Sequence, residues 1–266
     1  MDLREMPAPR EDRPSGQSGS RHPWERARAR FFCGQLAPHL RPGIRVLDIG
    51  AGDGYLVASL LPAIQPGGSV VCFDTGYSDQ HLARFAAAAP AGQSFTRELP
   101  ESQFDLVLML DVLEHVPDDH AFLASVTGNT LAAGGVLLAS VPAHPLLFTR
   151  HDVNLGHHRR YRPPELPSLL RDAGLDVEAT GGLFHSLLPI RMAQKLGEIL
   201  GGVWTRPVPD AVSGHAHTGL SAWKGNPWVG RVLVRMLSLD NRISAASARC
   251  KLGVPGLSAW ALARKP

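Results

Sequence analysis

Short apolar runs alternate with helical patterns along the first 180 residues of the chain. The apolar runs are bounded by Gly, Pro or Asp, which predicts short buried β-strands. Between them, apolar positions recur every three or four residues, as in helices. Strands are predicted over 44–49, 69–73, 93–97, 104–110 and 135–141, and helices over 24–36, 55–63, 79–89 and 119–131. Near-continuous apolar strands joined by helices require a parallel sheet covered on both faces, so the pattern predicts a doubly wound α/β fold.

The remaining chain is less regular. A long polar loop over 142–161 precedes a helix over 165–173 and strands over 175–179 and 257–263. A Gly- and Pro-rich beginning without large apolar residues predicts a disordered arm. The predicted units are the arm, 1–22, a core of 23–180 plus 255–266, and an inserted helical substrate cover, 181–254.

The composition narrows the class of protein. With 44% hydrophobic and 19% charged residues among 266, the chain has the balance of a soluble globular protein. The beginning is charged and lacks the apolar stretch of a secretory signal, and no uncharged apolar run reaches 18 residues. Three widely spaced cysteines suit a reducing compartment. We therefore expect a cytoplasmic location and no membrane span.

The net charge of +3 is unevenly distributed. Residues 223–266 contain eight Lys or Arg and one acid, a net +7, so residues 1–222 carry −4. The basic excess belongs to the last sixth of the chain and does not by itself indicate nucleic-acid binding.

Three glycines follow the first predicted strand at alternate positions. Gly50, Gly52 and Gly54 stand between that strand and a helix, directly after Asp48. Glycine allows positive φ and lets backbone N–H groups approach a ligand closely. A dinucleotide site would need glycine at the position of Tyr55, and the preceding carboxylate would repel a pyrophosphate. The loop favours a ligand that carries an ammonium group.

The loop and two later segments resemble the class I S-adenosylmethionine-dependent methyltransferases, in the branch that acts on small molecules. Asp48 and the glycines match the family's first motif, an acid followed by G-x-G-x-G. Asp74, at the end of the second strand, stands where the family's ribose-binding acid stands. The run D-V-L-E-H from Asp111 to His115 is similar to a third segment. The resemblance covers 24–180 plus the final strand. It implies S-adenosylmethionine as cofactor and a Rossmann-like, seven-stranded, mostly parallel sheet.

Two further positions bear on the predicted cofactor site. Asp111 ends a buried strand at the sheet edge where such folds bind ligands, so it is predicted to bind the cofactor. Glu114 is interpreted as a helix-start or solvent-facing residue. The family's adenine-contacting Asp is missing, because Arg97 stands near its place, which leaves backbone groups or Glu98 for the adenine.

Histidines concentrate where the acceptor of the methyl group is expected. Six of the twelve lie between His115 and His158. A hydroxyl or protonated amine needs a general base before it can attack the methyl carbon. The candidates are His151 and His157, with His115 as a further one.

The segment around these histidines has three interpretations. As a pocket lid it supplies a base, with Arg159 and Arg160 as cations for an anionic substrate group. As a brace, Arg160 and Tyr161 hydrogen-bond the loop onto the sheet. As a metal site it would use His151, Asp152 and His157, but these lack the i,i+4 spacing of a strong motif. No metal ligand is therefore assigned.

Nucleic-acid methylation is disfavoured by two missing motifs. The N-P-P-Y tetrapeptide of amine methylation is not found after the fourth strand, and none of the three cysteines follows a proline, as a cytosine-C5 nucleophile would. The run 26–30, R-A-R-A-R, is interpreted as a solvated helix face. We therefore expect a small-molecule acceptor methylated at oxygen or nitrogen, by in-line displacement, and no nucleic-acid partner. The alternatives are a lipid-linked or membrane-surface acceptor and a non-catalytic S-adenosylmethionine-binding protein.

The basic end of the chain contains one clear amphipathic pattern. Apolar residues recur at helical spacing from Trp228 to Leu237, and Arg231, Arg235 and Arg242 lie mostly off that stripe. Such a helix either packs over the acceptor pocket with its arginines in water or contacts anionic lipid. The oligomeric state is not predicted by any of these patterns.

Overall fold

Seven strands form one sheet in the computed structural model, which describes residues 22–200, 227–250 and 253–266. The strand order is β3-β2-β1-β4-β5-β7-β6. Strand bounds are β1 Arg45–Ile49, β2 Ser69–Phe73, β3 Gln93–Thr96, β4 Phe104–Leu110, β5 Leu131–Pro142, β6 Asp176–Leu183 and β7 Ser258–Arg264.

The sheet is mostly parallel. Strands β1 to β5 pair with one another in parallel, whereas β7 runs antiparallel to both β5 and β6. The predicted doubly wound, seven-stranded α/β fold is therefore confirmed.

Alternation along the central strand β4 divides the core into two layers. Phe104, Val107 and Met109 belong to the apolar cluster on one face, and Leu106 and Leu108 belong to the cluster on the other. Because successive side chains of a strand point to opposite faces, one apolar run supplies both layers.

Nine α-helices flank the sheet in the described part of the chain. Their bounds are α1 Pro23–Leu36, α2 Tyr55–Ala58, α3 Leu61–Ile64, α4 Asp79–Ala88, α5 Asp119–Ser125, α6 Arg150–Asn154, α7 Glu165–Asp172, α8 Leu188–Ile199 and α9 Pro227–Arg249.

Two helix predictions were too long. The single helix predicted over 55–63 is two short ones, because Pro62 in the first turn of α3 has no N–H to extend the hydrogen bonds of α2. The helix predicted over 119–131 ends at Ser125 and continues as a wide turn, Val126–Thr130. That turn is built from weak helix formers, Thr, Gly and Asn.

Two strands are longer than predicted because glycines were interpreted as breaks. Strand β5 begins at Leu131, and a register shift against β4 absorbs its glycine pair. Strand β6 continues through Gly181 and Gly182, three residues beyond the predicted end of the core at 180. A Cβ at Gly181 would lie 3.1 Å from Trp260 Nε1, so this glycine permits close packing on β7.

The loop predicted over 142–161 is partly ordered into helix. A 3-10 turn spans Pro145–Leu147, and α6 begins with a capping box between Thr149 and Asp152.

The chain after β6 contributes α8 and α9. Helix α9 packs on α1 and β6, and Asn241 Nδ2 donates to the carbonyl of Ala27 at 2.7 Å. Helix α8 is tied to the loop before α6, since Lys195 Nζ donates to the carbonyl of Phe148. The predicted arm, 1–22, and the middle of the predicted cover fall almost wholly outside the described residues. The described helices include none with the length and apolarity that a membrane crossing needs.

Candidate active site

The candidate site lies where the strand order reverses. Strands β1 and β4 are neighbours, and the chain leaves them toward opposite sides of the sheet. Open parallel sheets bind ligands in the crevice that this reversal creates at the carboxyl ends of the strands. The glycine loop follows β1, and the D-V-L-E-H run follows β4.

The glycine loop is a left-handed turn with an open face. Gly50, Gly52 and Gly54 have φ values of 71°, 57° and 68°. A Cβ at Gly52 would meet no atom within 4 Å, whereas one at Gly54 would lie 2.3 Å from Gln93 Nε2. The loop therefore packs closely on the protein at Gly54 and leaves space for a ligand at Gly52.

Asp74 holds the loop from the end of β2. The N–H of Gly52 donates to Asp74 Oδ2 at 3.2 Å, and the N–H of Gly76 donates to Oδ1 at 2.9 Å. The hydroxyl of Tyr77 donates to the carbonyl of Gly52 at 2.6 Å. Burial raises the pKa of Asp74 to about 6, although both N–H bonds oppose the shift. Each carboxylate oxygen keeps acceptor capacity for a ligand hydroxyl.

Asp48 is a second buried carboxyl group beside the loop. Burial raises its pKa to about 7, the Arg28 guanidinium opposes the shift, and Asp74 and Asp53 add to it. Several acids therefore face one cleft with little compensating charge, which favours a ligand that brings a cation.

Arg28 is a residue of this site that the sequence analysis missed. Its Nη2 lies 2.9 Å from Asp111 Oδ2 and 3.2 Å from Ser140 Oγ, which in turn donates to Asp111 Oδ1 at 3.2 Å. The side chain of Arg28 is only 16% exposed, so the interpretation of 26–30 as a solvated face is wrong at this position. Arginines at every second position of a helix point in different directions, so only the packing shows which of them is buried.

Asp111 adopts an unusual backbone conformation. Its φ is 58°, which is rare for a residue with a side chain, and its N–H donates to the carbonyl of Ser140 at 2.9 Å. This turn takes the chain from β4 to a 3-10 turn, Leu113–His115, below the cleft.

Glu114 is fully buried, so its predicted solvent-facing position is wrong. Neither carboxylate oxygen has a hydrogen-bond partner, while its carbonyl accepts from the N–H of His158 at 2.8 Å. Burial, with a smaller contribution from Asp111, raises the pKa of Glu114 well above its usual range. The error arose because the turn after β4 folds inward instead of starting a surface helix.

His115 and His157 face each other beside Glu114. Their ring centroids lie 4.7 Å apart, at 81° between the planes. Burial, followed by the neighbouring His157, lowers the pKa of His115 to about 4. His157 Nδ1 lies 3.1 Å from Asp152 Oδ1.

Asp152 is the centre of the polar network under the loop. It is fully buried and accepts from Arg160 Nε and Arg191 Nη2, both at 2.8 Å, and from the N–H of Thr149 at 2.8 Å. Burial alone would raise the pKa of Asp152, but the bonds from His157 and Arg160 outweigh it and hold the pKa well below its usual range. The interaction with Arg191 ties α8 to the loop.

The arginines predicted as cations for a substrate are engaged within the protein. Arg159 Nη1 lies 3.0 Å from Asp119 Oδ1, and Arg160 also donates to the carbonyl of Ala143 at 3.1 Å. The hydroxyl of Tyr161 donates to Asp119 Oδ2 at 2.7 Å. The brace interpretation expected bonds from Arg160 and Tyr161; Arg160 bonds the backbone just after β5, whereas the Tyr161 hydroxyl bonds α5 and not the sheet.

The histidines of the loop do not all converge. His157 and His115 come together with Glu114, whereas His151 lies exposed on α6. The trio considered from the sequence for a metal, His151, Asp152 and His157, is not the one that the fold assembles, because Asp152 is bonded to two arginines.

Comparison with known proteins identifies the family to which this chain belongs. Residues 18–180 match the model of a methyltransferase domain family, which is more than half of the chain. The chain is 30% identical over 198 residues to the ubiquinone biosynthesis O-methyltransferase of Paramagnetospirillum magneticum, covering 64% of this chain and 78% of that protein. It is 31% identical over 185 residues to a Mycolicibacterium smegmatis protein named "Probable S-adenosylmethionine-dependent methyltransferase", covering 66% and 70%.

A solved structure shares the fold. The phosphoethanolamine N-methyltransferase 2 of Haemonchus contortus, in complex with S-adenosyl-L-methionine, superposes with a TM-score of 0.53 at 17% identity, covering 91% of this chain and 53% of that one. The segment matched by the family model, 18–180, contains the glycine loop, the buried Asp48 and Asp74, and the D-V-L-E-H run. The chain therefore belongs to the class I methyltransferases and is an enzyme that uses S-adenosylmethionine.

Proposed function

We propose that the enzyme methylates an oxygen or nitrogen atom of a small molecule by in-line displacement. The observation that carries the proposal is the adjacency of two polar clusters at one sheet edge. Asp48 and Asp74 surround the glycine loop, while Glu114, His115 and His157 lie beyond Asp111. Arg28 connects the two, because it pairs with Asp111 and acts electrostatically on Asp48.

The residues of the first cluster fit the cofactor. Asp48 is assigned to its ammonium group and Asp74 to the ribose hydroxyls, and the open face of Gly52 supports the assignment because it leaves room for the cofactor. Asp111 is assigned to the same site through its place at the end of β4. When bound, S-adenosylmethionine supplies a methyl group on a sulfonium, which leaves the electron pair of the broken C–S bond on sulfur.

The second cluster is assigned to the acceptor. A hydroxyl or protonated amine must lose a proton before it attacks, and His157 is the best-oriented group to influence that proton because Asp152 holds its Nδ1. His115 lies against it. His151 is a weaker candidate, since it projects from the exposed side of α6.

An oxygen acceptor is favoured over nitrogen by the curated relative from Paramagnetospirillum, which is named an O-methyltransferase. The proposed experiment measures transfer of a radiolabelled methyl group to a panel of phenols, catechols and amines. We expect turnover on at least one hydroxylated compound, lost in Asp74→Ala together with cofactor binding. Transfer restricted to amines would overturn the oxygen assignment, and unchanged cofactor binding in Asp74→Ala would overturn the site.

A membrane-surface acceptor is the second candidate, and the outer face of α9 favours it. Five large apolar side chains on that face are 38–64% exposed: Trp228, Val232, Met236, Leu239 and Ile243. Their spacing places them on one stripe of the helix. Arg231, Arg235 and Arg242 are exposed along one flank of this stripe.

The only acid of α9 does not reach that face. Asp240 is buried and accepts from the N–H and hydroxyl of Ser186. An apolar stripe with a purely basic flank is complementary to a bilayer surface that contains anionic lipid.

The test is co-sedimentation with phosphatidylglycerol vesicles. We expect the double variant Arg231→Glu, Arg235→Glu to lose most of the binding, and the charge-matched Arg162→Glu, Arg171→Glu pair on and beside α7 to keep it. Equal binding by both variants, or none by the wild type, would remove this candidate.

We also propose a cytoplasmic location and a covering role for the helices after β6. The three cysteines are free thiols, which supports a reducing compartment. The contacts of Arg191 with Thr149 and Asp152 support α8 as part of a cover beside the acceptor cluster.

A further inference from the structure

Glu114 has no partner for its charge. Both carboxylate oxygens are buried without a hydrogen bond, and the residue is 0% exposed. Burying an unpaired carboxylate is more unfavourable than burying a neutral polar group without a hydrogen bond. Such a group is either neutral or faces a cation that the polypeptide does not provide.

Two histidines offer lone pairs to the same space. One ligand atom each from Glu114, His115 and His157 lies within 4.8 Å of the other two, and His115 Nδ1 is itself buried without a partner. This is the only such group of three in the part of the chain that the structure describes. Possible ligand atoms therefore converge from both segments that form the cluster, and those of Glu114 and His115 include unpartnered ones.

The surroundings prepare His157 as a ligand. With Nδ1–H donated to the ionised Asp152, the lone pair of His157 is on Nε2. A carboxylate that holds the second nitrogen of a histidine is the usual outer partner of a metal-bound imidazole. Asp152 is in turn fixed by Arg160 and Arg191, so the ring orientation is set before any ligand binds.

We propose that Glu114, His115 and His157 bind one divalent transition-metal ion of the Zn²⁺ or Fe²⁺ type. Two imidazoles and one carboxylate suit these ions, whereas Mg²⁺ and Ca²⁺ prefer oxygen ligands. Ligand atoms around a tetrahedral ion lie roughly 3.3 Å apart, so closing the site requires side-chain shifts of about an ångström.

The charge balance permits a cation at this position. Arg28 and Arg160 both act on Glu114, but Asp111 and Asp152 form ion pairs with them. Asp152 is shared between Arg160 and Arg191, and the Glu114 carboxylate makes no ion pair among the described residues, so a metal ion would give it a direct counter-charge.

A metal ion at this site would restrict the acceptor of the proposed function to a hydroxyl compound. The catalytic role of the ion rests on that proposed function. Three protein ligands leave at least one coordination position open for an acceptor oxygen. Coordination lowers the pKa of the hydroxyl, which releases its proton to solvent. The oxygen then forms the C–O bond with the methyl carbon as the C–S bond breaks and its electron pair goes to sulfur. His115 and His157 act here as ligands and not as bases.

The first experiment measures metal binding without any turnover. Chelator-treated, tag-free protein is titrated with Co²⁺, whose visible absorption reports coordination by protein ligands, and then with Zn²⁺ by calorimetry. We expect one equivalent per chain in the wild type and at least a tenfold weaker affinity in Glu114→Gln and in His157→Gln. The exposed-site controls Glu101→Gln and His120→Gln are expected to bind as the wild type does.

Thermal unfolding of the metal-free variants tests whether a loss of metal binding comes from misfolding. Glu114→Gln removes an unpaired carboxylate, so its unfolding temperature without metal should equal or exceed that of the wild type. Added Zn²⁺ should raise the unfolding temperature of the wild type alone. Binding that is absent from the wild type, or equal in the wild type and both cluster variants, would overturn the proposal.

Activity separates this inference from the proposed function. Turnover of a hydroxyl acceptor that persists in chelator and survives metal removal would retain the methyl transfer and reject the metal. Stoichiometric metal binding with no transfer to any hydroxyl compound would retain the site and reject the proposed acceptor.

Discussion

The proposed cofactor half and the proposed acceptor half of the cleft, called here the cofactor half and the acceptor half, are built in different ways. The cofactor half is nearly continuous in sequence, since Asp48 and the glycine loop occupy seven consecutive positions at the end of β1 and just after it, and Asp74 follows the adjacent β2. The acceptor half joins the turn after β4 to a loop some forty residues later, through the contact of the His115 and His157 rings and the bond from the His158 N–H to the Glu114 carbonyl. Asp152 and its cationic partners hold that loop. Local backbone geometry thus shapes the first half, and long-range polar packing shapes the second.

This difference has a consequence for robustness. The cofactor half depends on hydrogen bonds of the backbone that any sheet of this topology supplies. The acceptor half depends on one buried carboxylate, Asp152, that holds four side chains at once. We therefore expect damage to the acceptor half to cost more folding energy, and damage to the cofactor half to act more on ligand affinity.

Removal of the Asp152 charge should have the largest effect on stability. Asp152→Asn leaves the buried Arg160 and Arg191 without their counter-charge, and we expect a loss of about 3 kcal/mol in the free energy of unfolding. Urea denaturation measures it. A loss below about 0.5 kcal/mol, the usual size for a surface substitution, would show that the loop is held by other contacts.

A methyl group at Gly54 tests the close packing of the cofactor loop. Gly54→Ala places a Cβ at positive φ, 2.3 Å from Gln93 Nε2 and 2.9 Å from Cys72 Sγ, and should cost about 2 kcal/mol. Gly34→Ala in α1 is the matched control, because its Cβ would meet nothing within 4 Å. There we expect a gain of about 0.5–1 kcal/mol. Similar thermal shifts in the two variants would contradict the packing argument.

Loss of the Asp74 carboxylate should weaken the cofactor site selectively. Charge-assisted hydrogen bonds contribute about 1.5–3 kcal/mol, so Asp74→Ala should reduce S-adenosylmethionine affinity by about 10- to 100-fold. Calorimetric titration measures the affinity. Asp79→Ala, at an exposed position on α4, is the control and should stay within about twofold of the wild type.

The pH dependence of cofactor affinity should be the smallest effect. The pKa of Asp48 is raised to about 7, so its carboxylate becomes more ionised as the pH rises through 7. Affinity for a cationic ligand should therefore increase by about five- to tenfold between pH 6 and pH 8. Asp48→Asn should bind more weakly and show a flatter profile. An affinity that falls over this range in the wild type would contradict the assignment of Asp48.

The same acids affect the stability of the ligand-free enzyme. Because the native state binds protons on Asp48 and Asp74 more tightly than the unfolded chain does, their contribution to the free energy of unfolding decreases as the pH rises from about 4 to about 7.

The fold and the turn geometry of the glycine loop could be predicted from sequence because their signals are local. Apolar runs, the glycine spacing and the acids at strand ends are each contained in a few residues. The errors at strand ends and in the helix over 55–63 arose where glycine or proline has a structural meaning that only packing reveals, as at Gly181.

The acceptor half could be predicted only as a list of histidines. Which of them meet depends on the inward turn at Asp111 and on the buried position of Asp152, and neither has a sequence signature. Glu114 was misplaced for this reason, and Arg28 was overlooked because its partner is 83 positions away in the chain.

The most direct test of this account is S-adenosylmethionine affinity measured beside methyl transfer in the double variant Glu114→Gln, His157→Gln. If the two halves are separate in construction and function, calorimetry will give a cofactor affinity within about threefold of the wild type. Transfer to the hydroxyl acceptor will fall by at least about a hundredfold, since loss of even an outer partner of a metal ligand costs about 10- to 100-fold. Loss of cofactor binding together with transfer, or full transfer activity in this variant, would contradict it.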